Sequence, residues 1–284
     1  MAQRSPRPLG WLRRLLGRDG TVIPVVRLQG TIAADPRPGR LNIATVAPLL
    51  RRAFAHKAAP VIAVIVNSPG GSPVQSRLIA KRIRDHADES GQKVIVFVED
   101  AAASGGYFIA TAGDEIIADP SSIVGSIGVI FSGFGFVEAI RKLGIERRVH
   151  TAGRNKSTLD PFLPEKETDI ERIKTLELDV HRTFIDWVKA RRSGRLNASD
   201  DDLFTGEFWS GTRGVELGLV DGIGDLRSVL RERYGEDVRL KVIEPKRPLF
   251  SLPRLGLSSG ASGGVVGDLV SALEDRSLWS RLGL

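Results

Sequence analysis

Cysteine is absent from the 284 residues, which excludes disulfides, thiol catalysis and thiolate-bound metals. Histidine is scarce: His56, His86, His150 and His181 lie at least 30 residues apart, without the local spacing of a zinc site. Long apolar runs are also missing. Residues 120–137 are uncharged over 18 positions, but they contain Pro120, four serines and four glycines, so they read as loop and strand rather than a membrane-spanning helix. The first twenty residues hold no apolar stretch of signal-peptide length. The loop SPGGSP lacks the GK[ST] ending of a P-loop, so no nucleotide is implied.

What is present begins with charge. The formal balance is +7, yet residues 1–60 carry 11 Lys/Arg against Asp19 and Asp35, a balance of +9, and the remainder stands at −2. The basic character therefore belongs to the N-terminal end. Basic residues are not interleaved with aromatics on one element, so nucleic acid is not the expected partner. Residues 1–20 form a basic tail in which Trp11, Leu12, Leu15 and Leu16 alternate with Arg13, Arg14 and Arg18. It reads either as a disordered tail or as a short amphipathic helix on an anionic membrane.

From Thr21 the text alternates strand and helix. PVIAVIVN and KVIVFVED are continuous, β-branched-rich runs, the pattern of strands buried on both faces. A helix is expected over 43–56, beginning near Pro48, and a long helix with one apolar stripe over 165–192. The repetition implies parallel strands joined by crossover helices, with ligands collecting at the carboxyl ends of the strands. Residues 21–244 are expected to be one domain, followed over 245–284 by a Pro/Gly/Ser linker and a closing amphipathic segment.

Three features could carry chemistry. Asn67-Ser68-Pro69-Gly70-Gly71 follows a buried strand; its paired glycines could present main-chain N–H groups to an anion, or merely make a tight connection. Ser104, within Ala101-Ala102-Ala103-Ser104-Gly105-Gly106, is either an accessible nucleophile or a helix cap. The amide of Gly105 would sit at a helix N-terminus, where N–H groups are unsatisfied. Lys156 stands in a chain with ten lysines against 31 arginines. It reads as a general base or as a surface lysine. No histidine occurs in 101–131.

Together these segments resemble the signal peptide peptidase A family of Ser–Lys serine peptidases, within the Clp/crotonase-like fold. The resemblance spans roughly residues 22–232 through VIAVIVNSPGGSPVQS, VEDAAASGGYFIATAGDEIIADPSSIVGSIGV, AGRNKSTLDPF and GLVDGIG. It implies an α/β fold, a repeated β-β-α spiral with a parallel sheet and a C-terminal helical extension. It implies Ser104 as nucleophile, Lys156 as general base, the Gly71 and Gly105 amides as oxyanion hole, and Ser126 as the residue orienting the lysine. No cofactor or metal is implied. Expected partners are an extended peptide substrate and further copies of the chain in a ring. Typical members carry a transmembrane anchor; none is read here, so the expected location is cytoplasmic, with peripheral contact at the inner membrane surface. Two alternatives share the fold: a non-catalytic peptide-binding scaffold ring, and a crotonase-like acyl-CoA enzyme.

Overall fold

The computed structural model describes residues 20–37, 39–153, 155–245, 272–273 and 275–284. The basic tail over 1–19 and most of the 245–284 extension lie outside them. None of the described helices is long and apolar enough to cross a membrane.

The sheet grows from β-branched text. Strand β1 (Val22–Gln29), β4 (Val61–Ser68) and β5 (Lys93–Ala103) are its centre, and β4 is buried at every position. Alternate side chains feed two cores. Ile62, Val64 and Val66 point to one face, while Val61, Ala63 and Ile65 point to the other. Each fully buried Val or Ile contributes about 1.5–3 kcal/mol, and the polar residues of β4, Asn67 and Ser68, fall at its carboxyl end beyond this apolar run.

Among the described residues eight strands form one sheet. Its main order is β10-β1-β4-β5-β6-β9, where β6 is Glu115–Ala118, β9 Gly222–Ile223 and β10 Arg239–Val242. These pairs are parallel. β5 changes neighbour midway: residues 95–98 pair with β6, and 101–103 pair with β7 (Ile123–Gly125). β7 in turn pairs antiparallel with β8 (Phe208–Ser210). A short ribbon of β2 (Thr31–Ile32) and β3 (Arg40–Leu41) stands beside it.

The helices α1 (Ile43–Phe54), α2 (Pro73–Ser90), α3 (Gly105–Ala110) and α5 (Glu167–Arg192) pack on the larger core. Between the last two lies α4 (Val137–Lys142), which buries no residue. Short α6 (Asp200–Leu203) and α7 (Gly211–Glu216) follow, and α8 (Leu226–Tyr234) covers the opposite face. The expected start of α1 near Pro48 is wrong. Asn42 and Thr45 form a reciprocal capping box that starts the helix at Ile43, with Pro48 inside it. Such a box contributes about 1 kcal/mol, and Pro48, close to the start, forfeits one intrahelical bond.

Candidate active site

The carboxyl end of β5 carries the small residues Ala101, Ala102 and Ala103, all buried. Small side chains let β7 and the turn after β4 approach closely. Asn67 fixes that turn from below. Its side chain donates to Asp100 Oδ2 at 2.6 Å and accepts from Ala101 N–H at 3.2 Å, across the point where the β4–β5 register shifts.

Ser104 follows at the N-cap position of α3 with φ 51° and ψ −121°. A positive φ is costly for a residue with a Cβ and is held only where the surroundings impose it. Its N–H donates to the Gly125 carbonyl at 2.8 Å, and its carbonyl accepts from Phe108 N–H at 3.0 Å. The side chain makes no capping bond. A serine in that place would ordinarily accept from the first turn; here the half-buried hydroxyl is left for other use.

The glycine turn lies against this peptide. A Cβ on Gly70 would stand 2.8 Å from Ser104 Cβ and 2.9 Å from Gly105 N. Gly71, at φ 134°, bridges Ile32 in parallel. Ile32 N–H donates to Gly70 O at 2.8 Å, and Ser72 N–H donates to Ile32 O at 2.7 Å. That pattern turns the Gly71 N–H away from β2. A Cβ there would collide with the Ile32 carbonyl oxygen. Gly105 is the first residue of α3, so its N–H has no acceptor within the helix. A Cβ on it would collide with Ser76 Oγ. Backbone donors of this kind, at a helix start, suit a developing oxyanion.

Ser126 follows β7 directly, half-buried, with φ 53°. Its N–H donates to Glu207 O at 2.6 Å. Among the described residues Ser104, Ser126 and Leu159 are the non-glycine residues with positive φ. Strain thus gathers in the segments singled out from the sequence, including the one that carries the lysine.

Lys156 is not brought to this cluster. It sits exposed in a turn over 155–159, where its N–H donates to Gly153 O at 3.3 Å. Among the described residues no hydrogen bond joins its amine to Ser104 or Ser126. Asp160 braces the same segment, accepting from Phe162 N–H at 3.0 Å and pairing with Arg147 at 3.0 Å. Those contacts hold its carboxyl below the usual carboxylate range. A cleft of about 610 Å³ on the α8 side, lined by Arg27, Phe97, Glu99 and Arg227, does not include Ser104.

Asn67, Ser76 and His181 also belong to this site, though no sequence motif assigns them a role. Asn67 carried a signal, a polar residue ending a wholly apolar strand. Ser76 and His181 carried none, because each matters through a contact distant in the chain.

The sequence model of peptidase family S49 matches residues 86–238. The chain is 33% identical to Protease 4 of Haemophilus influenzae over 217 residues, 74% of this chain and 34% of that one. It is 55% identical to a Brucella abortus protein named Na(+)/H(+) antiporter NhaA, over 97% of this chain. That match covers 39% of the Brucella protein, so the chain spans about two fifths of that relative's length. In structure it is similar to the 1510-N membrane-bound stomatin-specific protease, with TM-score 0.51 and 17% identity, covering 80% of this chain and 99% of that one. The architecture is thus the Clp/crotonase-like α/β fold.

Proposed function

The chain belongs to peptidase family S49, and from that premise we propose that it is a serine peptidase acting through an acyl-enzyme. Ser104 is the nucleophile, Lys156 the general base, Gly71 and Gly105 the oxyanion donors, and Ser126 the residue that orients the lysine. The observation that carries this reading is the state of Ser104: held at positive φ, at a helix start, with no capping bond.

In the reaction Lys156 Nζ takes the proton from Ser104 Oγ, which attacks the scissile carbonyl carbon. The carbonyl oxygen becomes an anion between the Gly71 and Gly105 amides, donors that need no reorganisation. Lys156 returns the proton to the leaving amine, and the peptide's C-terminal part departs. Water then gives a proton to Lys156 and adds to the ester carbon. The C–Oγ bond breaks, Lys156 passes that proton to Ser104 Oγ, and the peptide's N-terminal part leaves as its carboxylic acid. A lysine accepts a proton only as a neutral amine, which requires removal from water. The exposed Lys156 therefore needs cover, which we assign to a neighbouring copy in a ring. Exposed Ile130, Phe131 and Phe134, on the same excursion from the core, support such an association.

Substrates in this reading are extended peptides, such as signal-peptide remnants or membrane-protein segments. The solved complex of the 1510-N protease with a substrate peptide supports a peptide ligand. Peripheral contact with anionic membrane would rest on residues 1–20, and vesicle binding with and without them tests it.

The deciding experiment is labelling by a fluorophosphonate probe together with cleavage of dye-quenched casein. Ser104→Ala should abolish both, and Lys156→Ala should abolish cleavage in a folded protein. Wild-type cleavage by Lys156→Ala would remove the dyad.

A further inference from the structure

Helix α5 touches the turn after β7 at two points one helical turn apart. Glu177 Oε1 accepts from Phe131 N–H at 2.6 Å, and His181 Nε2 lies 3.0 Å from the Ile127 carbonyl oxygen. Positions four apart share one face of a helix, and that face continues into buried Phe184 and Val188. Ile127 is itself fully buried. Its carbonyl needs a donor, and only an imidazole with hydrogen on Nε2 supplies one.

The residues between these points are those of the candidate site. Gly125 O receives Ser104 N–H at 2.8 Å, Ser126 N–H reaches Glu207 O at 2.6 Å, and Gly128 N–H reaches Ser126 O at 3.0 Å. The turn is therefore tied to β5 on one side, to the strand region of β8 on another, and to α5 through His181. Ser126 holds its positive φ at the centre of these ties. Without His181 the Ile127 carbonyl is buried and unpaired, which costs free energy until the turn shifts. A shift there moves Gly125, and with it the main chain of Ser104.

We propose that His181 is a positioning residue: its Nε2–H fixes the 125–128 turn so that Ser126 and the Ser104 main chain stay in register for acyl transfer. The inference rests on the Ser104/Ser126 reading given above. His181 bonds the Ile127 carbonyl and acts through that turn, without taking the proton of Ser104.

The test uses the full chain, with saturable fluorophosphonate labelling as readout. His181→Ala should lower kinact about ten- to hundredfold, as expected for small misplacement of a reacting group, with KI changed less than about twofold. His181→Gln places an amide N–H where Nε2 stood and should restore most of the rate; His181→Met, of similar length without a donor, should not. In the double variant with Ser126→Ala, loss of His181 should cost little more, since both act through one turn. Melting temperatures of the variants identify any that fail to fold; should His181→Ala be one, the Gln–Met comparison decides. Wild-type kinact in His181→Ala, equal rates for Gln and Met, or additive losses with Ser126→Ala would each overturn the inference. Casein cleavage by Ser104→Ala would overturn the underlying reading and this inference with it. Loss of activity in Ser104→Ala beside intact His181 variants overturns the inference alone.

Discussion

The Ser104 N–H meets the Gly125 carbonyl at 2.8 Å across the β5–β7 pair, so the residue preceding Ser126 anchors the main chain of the proposed nucleophile. Two serines separated by 22 positions thus share one peptide-to-peptide contact. Whatever displaces the β7 end displaces both.

Gly105 abuts Ser76, and this contact can be relieved by a second substitution. Gly105→Ala should slow fluorophosphonate labelling by about a hundredfold or more, the scale of losing an oxyanion donor. Adding Ser76→Ala removes the colliding Oγ and leaves Ile32 Cδ1 at 3.2 Å and Ser76 Cβ at 3.3 Å. The double variant should recover part of the labelling rate and of the melting temperature. A double variant no faster than Gly105→Ala would mean that the collision is not what disables it.

Asp160 should act as an acid-sensitive brace for the lysine segment. Its carboxyl is held low by the Phe162 N–H first and by Arg147 next. A depressed carboxyl stabilises the folded arrangement above its unfolded value, and that contribution is lost as pH falls through the folded one. Amide hydrogen exchange at Phe162 is the measure. Asp160→Asn should lower its protection factor up to about tenfold at neutral pH, and wild type should converge on the variant only in acid.

Lys156 should work on a neighbour's serine. Ser104→Ala and Lys156→Ala proteins, each inactive, should regain cleavage when dissociated and reassembled together. The ceiling is roughly a quarter of wild type, the share of random neighbour pairs uniting an intact serine with an intact lysine. Specific activity of wild type should also fall on dilution. A mixture that stays inactive while co-assembling would place the pair within one chain.

Much of this fold was legible because β4 and β5 are uninterrupted apolar runs, whose burial on both faces leaves few architectures open. The glycines at 70, 71 and 105 and the serine at 104 were legible for a related reason. Close approach of main chain to main chain demands small residues in runs. The start of α1 was misread because Pro48 is a louder signal than the Asn42–Thr45 box that outweighs it. His181 was invisible: its partner Ile127 lies 54 positions away, and nothing in local spacing marks a helix residue that serves a distant carbonyl. Lys156 stands out by composition and resemblance, and its exposure in the folded chain is what the surface-lysine reading of its own segment expects.

The donors assigned to the oxyanion belong to the Gly71 and Gly105 amides, and a peptide N–H neither gains nor loses a proton between weak acid and weak base. The grip on the anion would then be constant over that whole interval. Above the acid range in which Asp160 loses its brace, a sigmoid in acylation rate against pH would report the proton acceptor, without a contribution from the oxyanion donors.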